Sequence, residues 1–177
     1  LYTNEEISVD DKQAAKKIFG IDFDEKNVRI ARTLNVIAGD GETNVLYMNT
    51  LDYTRWSERT EKDPAWIKKY GEGYQRLEKL KLDKQSNQKF NFDLLIANPP
   101  FAGDIKESRV LHNYDISFND QGKSYKSISR DLLFIERNLD FIKPGGRIAL
   151  LLPQGRFNNI SDERVRKMIS EQCRIIA

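Results

Sequence analysis

Several runs of apolar residues in this chain do not alternate with polar ones. "FDLLIAN" (92–98) and "RIALLLP" (147–153) are the clearest, with shorter runs in "KKIFGID" (16–22), "NVLYM" (44–48) and a final "RIIA" (174–177). A strand that is apolar on both sides must be covered on both sides, as in a parallel sheet packed between helices. Helical periodicities separate the runs. Asp24 is placed to cap a helix through about Ala38, with Val28, Ala31, Leu34 and Ala38 on one face and "GDG" (39–41) at its end. Ser129 is placed to cap a second helix carrying Leu132, Ile135, Leu139 and Ile142, after which "KPGG" (143–146) turns the chain. Ser161 opens a third, with Val165, Met168, Ile169 and Gln172. Strands alternating with helices specify an α/β fold: a mostly parallel sheet with flanking helices, "RIIA" opening its fifth strand.

Two stretches interrupt this rhythm. Residues 53–90 form a charged helical insertion in which Trp66, Tyr70, Tyr74 and Leu77 share one face. Together with Trp56 they read as packing rather than as a base-stacking platform. Residues 102–128 form a long polar loop containing Gly103 and Gly122, and structureless connections of that length are usually functional or mobile. The 177 residues have the length of one domain. Lys and Arg number 29 against 27 Asp and Glu, so the net charge of +2 excludes the dense basic face of an autonomous nucleic-acid binder. A single cysteine, Cys173, excludes an internal disulfide and a cysteine-based zinc site, and suits a reducing cytoplasm. No metal is expected. No apolar run approaches a membrane span, and "LYTNEEISVDDKQ" does not read as a signal peptide.

In a parallel sheet, ligands bind beyond the carboxyl ends of the strands. Asp22, Asn49 and Asn98 stand at such ends, and Asn98 opens the sequence "NPPF" (98–101). Neither Pro99 nor Pro100 can extend a ladder, and Pro100 holds Pro99 extended. An exocyclic amine such as N6 of adenine is a poor nucleophile because its lone pair is delocalised into the ring. Two oxygens that accept its two protons draw the nitrogen towards tetrahedral geometry and free that lone pair. The Asn98 side chain and the Pro99 carbonyl are suited to this, the latter pre-aimed by the fixed φ of proline. Phe101 is suited to stack on a flat base, a contact worth roughly 1–3 kcal/mol. No general base is needed, so the sole histidine, His112, is not recruited.

"NPPF" resembles the catalytic motif of S-adenosylmethionine-dependent amino methyltransferases. The stretches "FGIDFDEKNVRIARTLNVIAGDGETNVLYMNTL", "LLIANPPFAG" and "SRDLLFIERNLDFIKPGGRIALLLPQGRFNN" are similar to the N6-adenine DNA methylase family. More narrowly they resemble the modification (M) subunit of type I restriction–modification systems. The resemblance implies a Rossmann-like methyltransferase fold and a bacterial or archaeal cytoplasmic enzyme. Its partners would be DNA, a specificity (S) subunit and a restriction (R) subunit. It implies Asn98, Pro99, Pro100 and Phe101 as catalytic residues, and Asp22, Phe23, Asn49 and Thr50 as cofactor contacts. Asp22 would accept the ribose hydroxyls, Phe23 would lie against the cofactor adenine, and Asn49 stands where the family has an Asp that meets the adenine amine. The family's glycine-rich cofactor motif has no counterpart here. Residues 1–177 therefore read as a partial catalytic domain lacking the first, glycine-motif strand and the last strands. Two other readings stand beside this one. Related motifs serve methyltransferases acting on protein glutamine or ribosomal guanine N2, and a truncated module would retain only partner binding.

Overall fold

"KKIFGID" becomes strand only where a neighbour completes its hydrogen bonds. The computed structural model describes residues 16–39, 44–81, 90–159 and 162–176, and the chain divides into two units, residues 1–87 and 88–177. In the first unit β1 (Gly20–Asp22) pairs in parallel with β2 (Val45–Tyr47), Gly20 opposite Val45 and Asp22 opposite Tyr47. Both strands are shorter than their apolar runs. The crossover between them is α1 (Glu25–Ile37), which starts where the Asp24 carboxylate accepts the Lys26 N–H at 2.8 Å. The helix buries Val28 and Arg32, whereas Leu34, expected on the covered face, is 59% exposed. Two short strands cover only a narrow stripe. The Arg32 guanidinium lies 5.0 Å over the Tyr70 ring, so the covered side of α1 is turned towards aromatic residues as well as the sheet.

Those aromatic residues belong to the charged insertion. After α2 (Trp56–Lys62), α3 (Pro64–Glu78) starts with proline in its first turn and the Asp63 carboxylate accepting the Trp66 N–H at 3.0 Å. Trp66, Tyr70, Tyr74 and Leu77 are buried along one face. The Trp66 ring sits 5.6 Å from both Tyr70 and Tyr74, which settles these residues as core. Trp66 Nε1–H donates to the Tyr47 carbonyl at 3.0 Å, and Trp56 Nε1–H to the Asn49 carbonyl at 3.0 Å. The segment that interrupts the strand–helix rhythm thus braces the carboxyl end of β2.

In the second unit β3 (Phe92–Ala97) pairs in parallel with β6 (Ile142–Leu150). Phe92 is opposite Ile142 and Leu94 opposite Arg147, so β3 advances from 92 to 94 while β6 advances from 142 to 147. "KPGG" takes up the difference as a bulge. Gly145 has φ +81°, and a Cβ on Gly146 would stand 2.7 Å from Ile142 Cγ2, so both positions require glycine. Helix α5 (Arg130–Phe141) feeds directly into β6 and buries Leu132, Leu133, Ile135 and Phe141. Arg137 is fully buried, with its guanidinium 4.3 Å over the Phe141 ring.

Residues 102–128 are not the structureless loop expected from their polarity. They hold β4 (Asp104–Ile105), antiparallel to β5 (Ile128–Ser129), helix α4 (Ser108–Leu111) and a 3₁₀ turn at Asp115–Ser117. Val110, Leu111, Tyr114 and Ile116 are buried; four apolar residues spread among polar ones suffice to anchor the segment. Glu136 of α5 fastens it further, accepting the N–H groups of Asp115 at 2.7 Å and Ile116 at 2.9 Å.

The chain continues through α6 (Gly155–Asn158) and α7 (Glu163–Gln172). The expected Ser161 cap lies outside the described residues. Val165 of α7 is buried, Met168 and Ile169 are half-buried and Gln172 is exposed. The fifth strand does not form. Cys173–Ile176 pairs with no described strand, and Ile175 and Ile176 are 65% and 86% exposed, because an apolar run becomes a strand only against a partner. Nor do the described strands make one sheet. They form three two-stranded sheets, two parallel and one antiparallel. Among the described residues no helix is long and apolar enough to cross a membrane.

Burial pushes the Glu136 carboxyl above its ordinary value, outweighing the downward pull of the two N–H donors. A carboxyl raised in this way favours the fold when protonated, so its contribution is full below the ordinary carboxyl range and is lost as pH rises through the raised value. The stability of the wild type relative to Glu136→Gln is therefore expected to fall as pH rises out of that range and then to level off. Urea unfolding midpoints at constant salt read this directly, and a difference that grows with pH would count against the assignment.

Candidate functional site

Strand β3 ends with the Leu151 N–H donating to the Ala97 carbonyl at 3.2 Å. Of the next three residues Asn98 is exposed, and the two prolines carry no N–H. Pro99 is buried and seats the turn, Pro100 is exposed, and Phe101 is 48% exposed. Among the described residues, nothing hydrogen-bonds the Asn98 side chain or the Pro99 carbonyl. Two acceptors from adjacent residues thus lack a hydrogen-bond partner among the described residues at a carboxyl edge, with an aromatic ring three residues after the first.

The segment that leaves this motif is tied down at once. Gly103 adopts φ +96°, a conformation that favours glycine. Its carbonyl accepts the Arg130 N–H at 2.9 Å. Asp104 then pairs with Ser129 and Ile105 with Ile128, while the Ser127 hydroxyl donates to Asp104 Oδ2 at 2.9 Å. The loop is therefore moored to the start of α5.

That start is held by a buried ionic cluster. Ser129 precedes the helix as expected, but its hydroxyl caps no N–H. It donates instead to Asp131 Oδ1 at 2.6 Å and accepts from Arg156 Nη2 at 2.7 Å. Asp131 has no exposed surface. Arg156 grips it with two bonds, Nε to Oδ2 at 2.6 Å and Nη2 to Oδ1 at 2.9 Å, and reaches Asp162 Oδ2 through Nη1 at 3.2 Å. These bonds, Asp131 foremost, push the Arg156 guanidinium above its ordinary range. Sequence reading missed Asp131, Glu136 and Arg156. Its only signals were an acid in the first turn of α5 and an arginine after the turn that ends β6.

The expected cofactor residues lie at the carboxyl edge of the β1–β2 sheet in the first unit. Asp22 is half-buried; its Oδ1 accepts the Asp24 N–H at 2.7 Å and its Oδ2 accepts from Asn27 Nδ2 at 3.2 Å. A carboxylate has about four lone-pair directions, so two stay open. Phe23 is 65% exposed, with its ring 6.3 Å from that of Tyr47, a neighbour that sequence reading did not single out. Asn49 Oδ1 accepts the Leu51 N–H at 3.1 Å, which fixes the side chain and leaves one lone pair and the amide hydrogens. Thr50 follows it, half-buried. Among the described residues no group of three or more His, Cys, Asp or Glu side chains is placed to hold a metal ion.

A family model described as Eco57I restriction-modification methylase matches residues 16–177. The type II restriction enzyme and methyltransferase RM.Eco57I of Escherichia coli is 28% identical over 83 residues, which are 46% of this chain and 8% of that protein. The chain thus matches a small part of the length of that relative. The likeness to a type I modification subunit gives way here. The family matched is the Eco57I type, and neither match supports separate specificity and restriction subunits.

Arg156→Met would leave the Asp131 carboxylate buried and unpaired. Removing one partner of a buried pair costs about 3–5 kcal/mol, and the partial exposure of Arg156 sets the expectation at the lower end, about 3 kcal/mol. Arg156→Lys keeps the charge but loses the fork, and should fall between. Chemical denaturation of the three proteins tests the ranking; equal stability of wild type and Arg156→Met would refute it.

Proposed function

We propose that this chain, which belongs to the Eco57I restriction-modification methylase family, is part of the catalytic region of an enzyme that methylates N6 of adenine in DNA, as the modification activity of a restriction–modification system. The observation that carries the reading is the pair of acceptors at the end of β3 that no described residue hydrogen-bonds, the Asn98 side chain and the Pro99 carbonyl. Two acceptors fit the two hydrogens of one primary amine. Accepting both holds the nitrogen with its lone pair directed away from the ring plane. Phe101, half-exposed beside them, stacks on the base and sets its plane. The target adenine must leave the duplex to reach these groups, so its stacking on Phe101 offsets part of the unstacking cost.

The cofactor implied is S-adenosylmethionine, which supplies a methyl group on a positively charged sulfur. The residues at the β1–β2 edge fit its adenosine half. The open acceptor directions of Asp22 suit a ribose diol, and the exposed Phe23 face beside Tyr47 suits a purine. Asn49, fixed by its bond to Leu51, offers an amide to the purine edge, with Thr50 beside it. Asn98 and Pro99 keep their hold on the amine hydrogens while the nitrogen becomes positively charged. That charge lowers the acidity barrier enough for one proton to pass to water, so no basic side chain is required.

Asn98→Ala is expected to lower kcat for adenine methylation at least 100-fold while leaving cofactor affinity within about two-fold, since the side chain acts on the amine alone. Asp22→Ala should do the reverse, weakening cofactor binding about ten-fold, the loss of a charged hydrogen-bonding partner. Calorimetric titration of the cofactor and tritium transfer to unmethylated DNA separate the two. Methyl transfer by Asn98→Ala at the wild-type rate would sink the reading.

A further inference from the structure

Arg130 is the first residue of α5, and its side chain is not tied into the fold as most other arginines are. Most arginines of the described residues are tied to a carboxylate, a carbonyl or an aromatic ring, Arg29 to Glu25 and Arg156 to Asp131 among them. Among the described residues no hydrogen bond or ion pair engages the Arg130 guanidinium. It is half-exposed, and it lies against Gly103: a Cβ built on that glycine would stand 3.2 Å from Arg130 Nη2 and 3.5 Å from Cζ. Gly103 follows Phe101 by two residues, so the cation rests on the segment leaving the "NPPF" motif. Asp104, next to Gly103, has one carboxylate oxygen occupied by the Ser127 hydroxyl, and Asp131, next to Arg130, is gripped by Arg156.

The position is also rigid. The Arg130 N–H is bonded to the Gly103 carbonyl, Ser129 on one side is paired with Asp104, and Asp131 on the other is gripped by Arg156. A planar cation with five donors, anchored at its backbone and unpaired at its head, is suited to an oxyanion. Extruding a base rotates the backbone around the target nucleotide, and the phosphates there must be held in the new geometry.

We propose that the Arg130 guanidinium binds a backbone phosphate flanking the adenine presented to Asn98. The inference rests on the proposed DNA substrate. Arg130 touches the backbone and not the amine, so it is a binding residue whose loss appears in KM for DNA rather than in kcat.

The experiment uses the complete encoded polypeptide and compares wild type, Arg130→Gln and Arg130→Lys. Wild-type methyl transfer to adenine in DNA comes first; its failure would overturn the functional reading itself, and this inference with it. Given transfer, Arg130→Gln should raise KM for DNA about ten-fold with kcat and cofactor affinity within about two-fold, and should reduce the slope of log affinity against log salt by about 1. Arg130→Lys should keep the salt slope. A second arm needs no variant: in wild type, a neutral methylphosphonate at one phosphate beside the mapped target adenine should weaken binding as Arg130→Gln does, and combining the two should add nothing further. An unchanged salt slope, a loss confined to cofactor affinity, or indifference of the wild type to every flanking methylphosphonate would each overturn the proposal.

Discussion

The arrangement of the second unit depends on one buried carboxylate. Asp131 has no surface of its own and is neutralised by a bidentate arginine from a different part of the chain. A charge taken out of water in this way tolerates little displacement, because each lost bond leaves desolvated charge behind. The pair therefore fixes the start of α5 relative to the turn after β6. Through Ser129 and Arg130 it also fixes the segment that follows "NPPF". The motif is held on its other side by the parallel ladder of β3 with β6. The proposed amine activation needs two acceptors at set positions, and among the described residues no donor occupies either one.

A comparable division of labour governs the first unit. The short β1–β2 ladder offers little stability alone, since two-stranded sheets are marginal without a packed face. The indoles of Trp56 and Trp66 supply what is missing. Each buries a large apolar ring and also satisfies a backbone carbonyl at the end of β2, where the chain turns towards Asn49 and Thr50. The charged helices after β2 are thus part of the platform that carries the candidate cofactor edge. Phe23 is exposed and Tyr47 half-buried at that edge, their rings 6.3 Å apart.

Much of this was legible in the residues. Strand β3 and the placement of Asn98 just past its end followed from an apolar run closed by two prolines, since proline cannot stay in a ladder, but the expected cover on both sides did not, for Leu94 and Ile96 are 57% and 76% exposed. The helix after Asp24 followed from a capping residue, and the helix after Ser129 from an apolar period, although the Ser129 hydroxyl caps no N–H. The buried face of α3 followed from four large residues at helical spacing, despite Gly71 and Gly73. What failed did so for identifiable reasons. Leu34 is exposed because helical spacing reports which residues share a face, not how wide a neighbour covers it. Residues 102–128 looked structureless because Val110, Leu111, Tyr114 and Ile116 are too scattered to form a period, yet each finds a buried place. Ile175 and Ile176 looked like strand, but pairing belongs to two segments at once.

The sequence by itself determined the chemistry of the candidate site: an amide, a fixed carbonyl and a ring at a strand end, all within four consecutive residues whose roles depend on their own covalent structure. Only the tertiary structure decided what holds them. Asp131 and Arg156 are 25 residues apart, Glu136 and Ile116 are 20 apart, and Gly103 and Arg130 are separated by most of the polar segment. Local rules act over a turn of helix or a pair of strands. A charge finds its partner through space, so the clamp behind the motif and the open arginine beside it become visible only when the chain has folded.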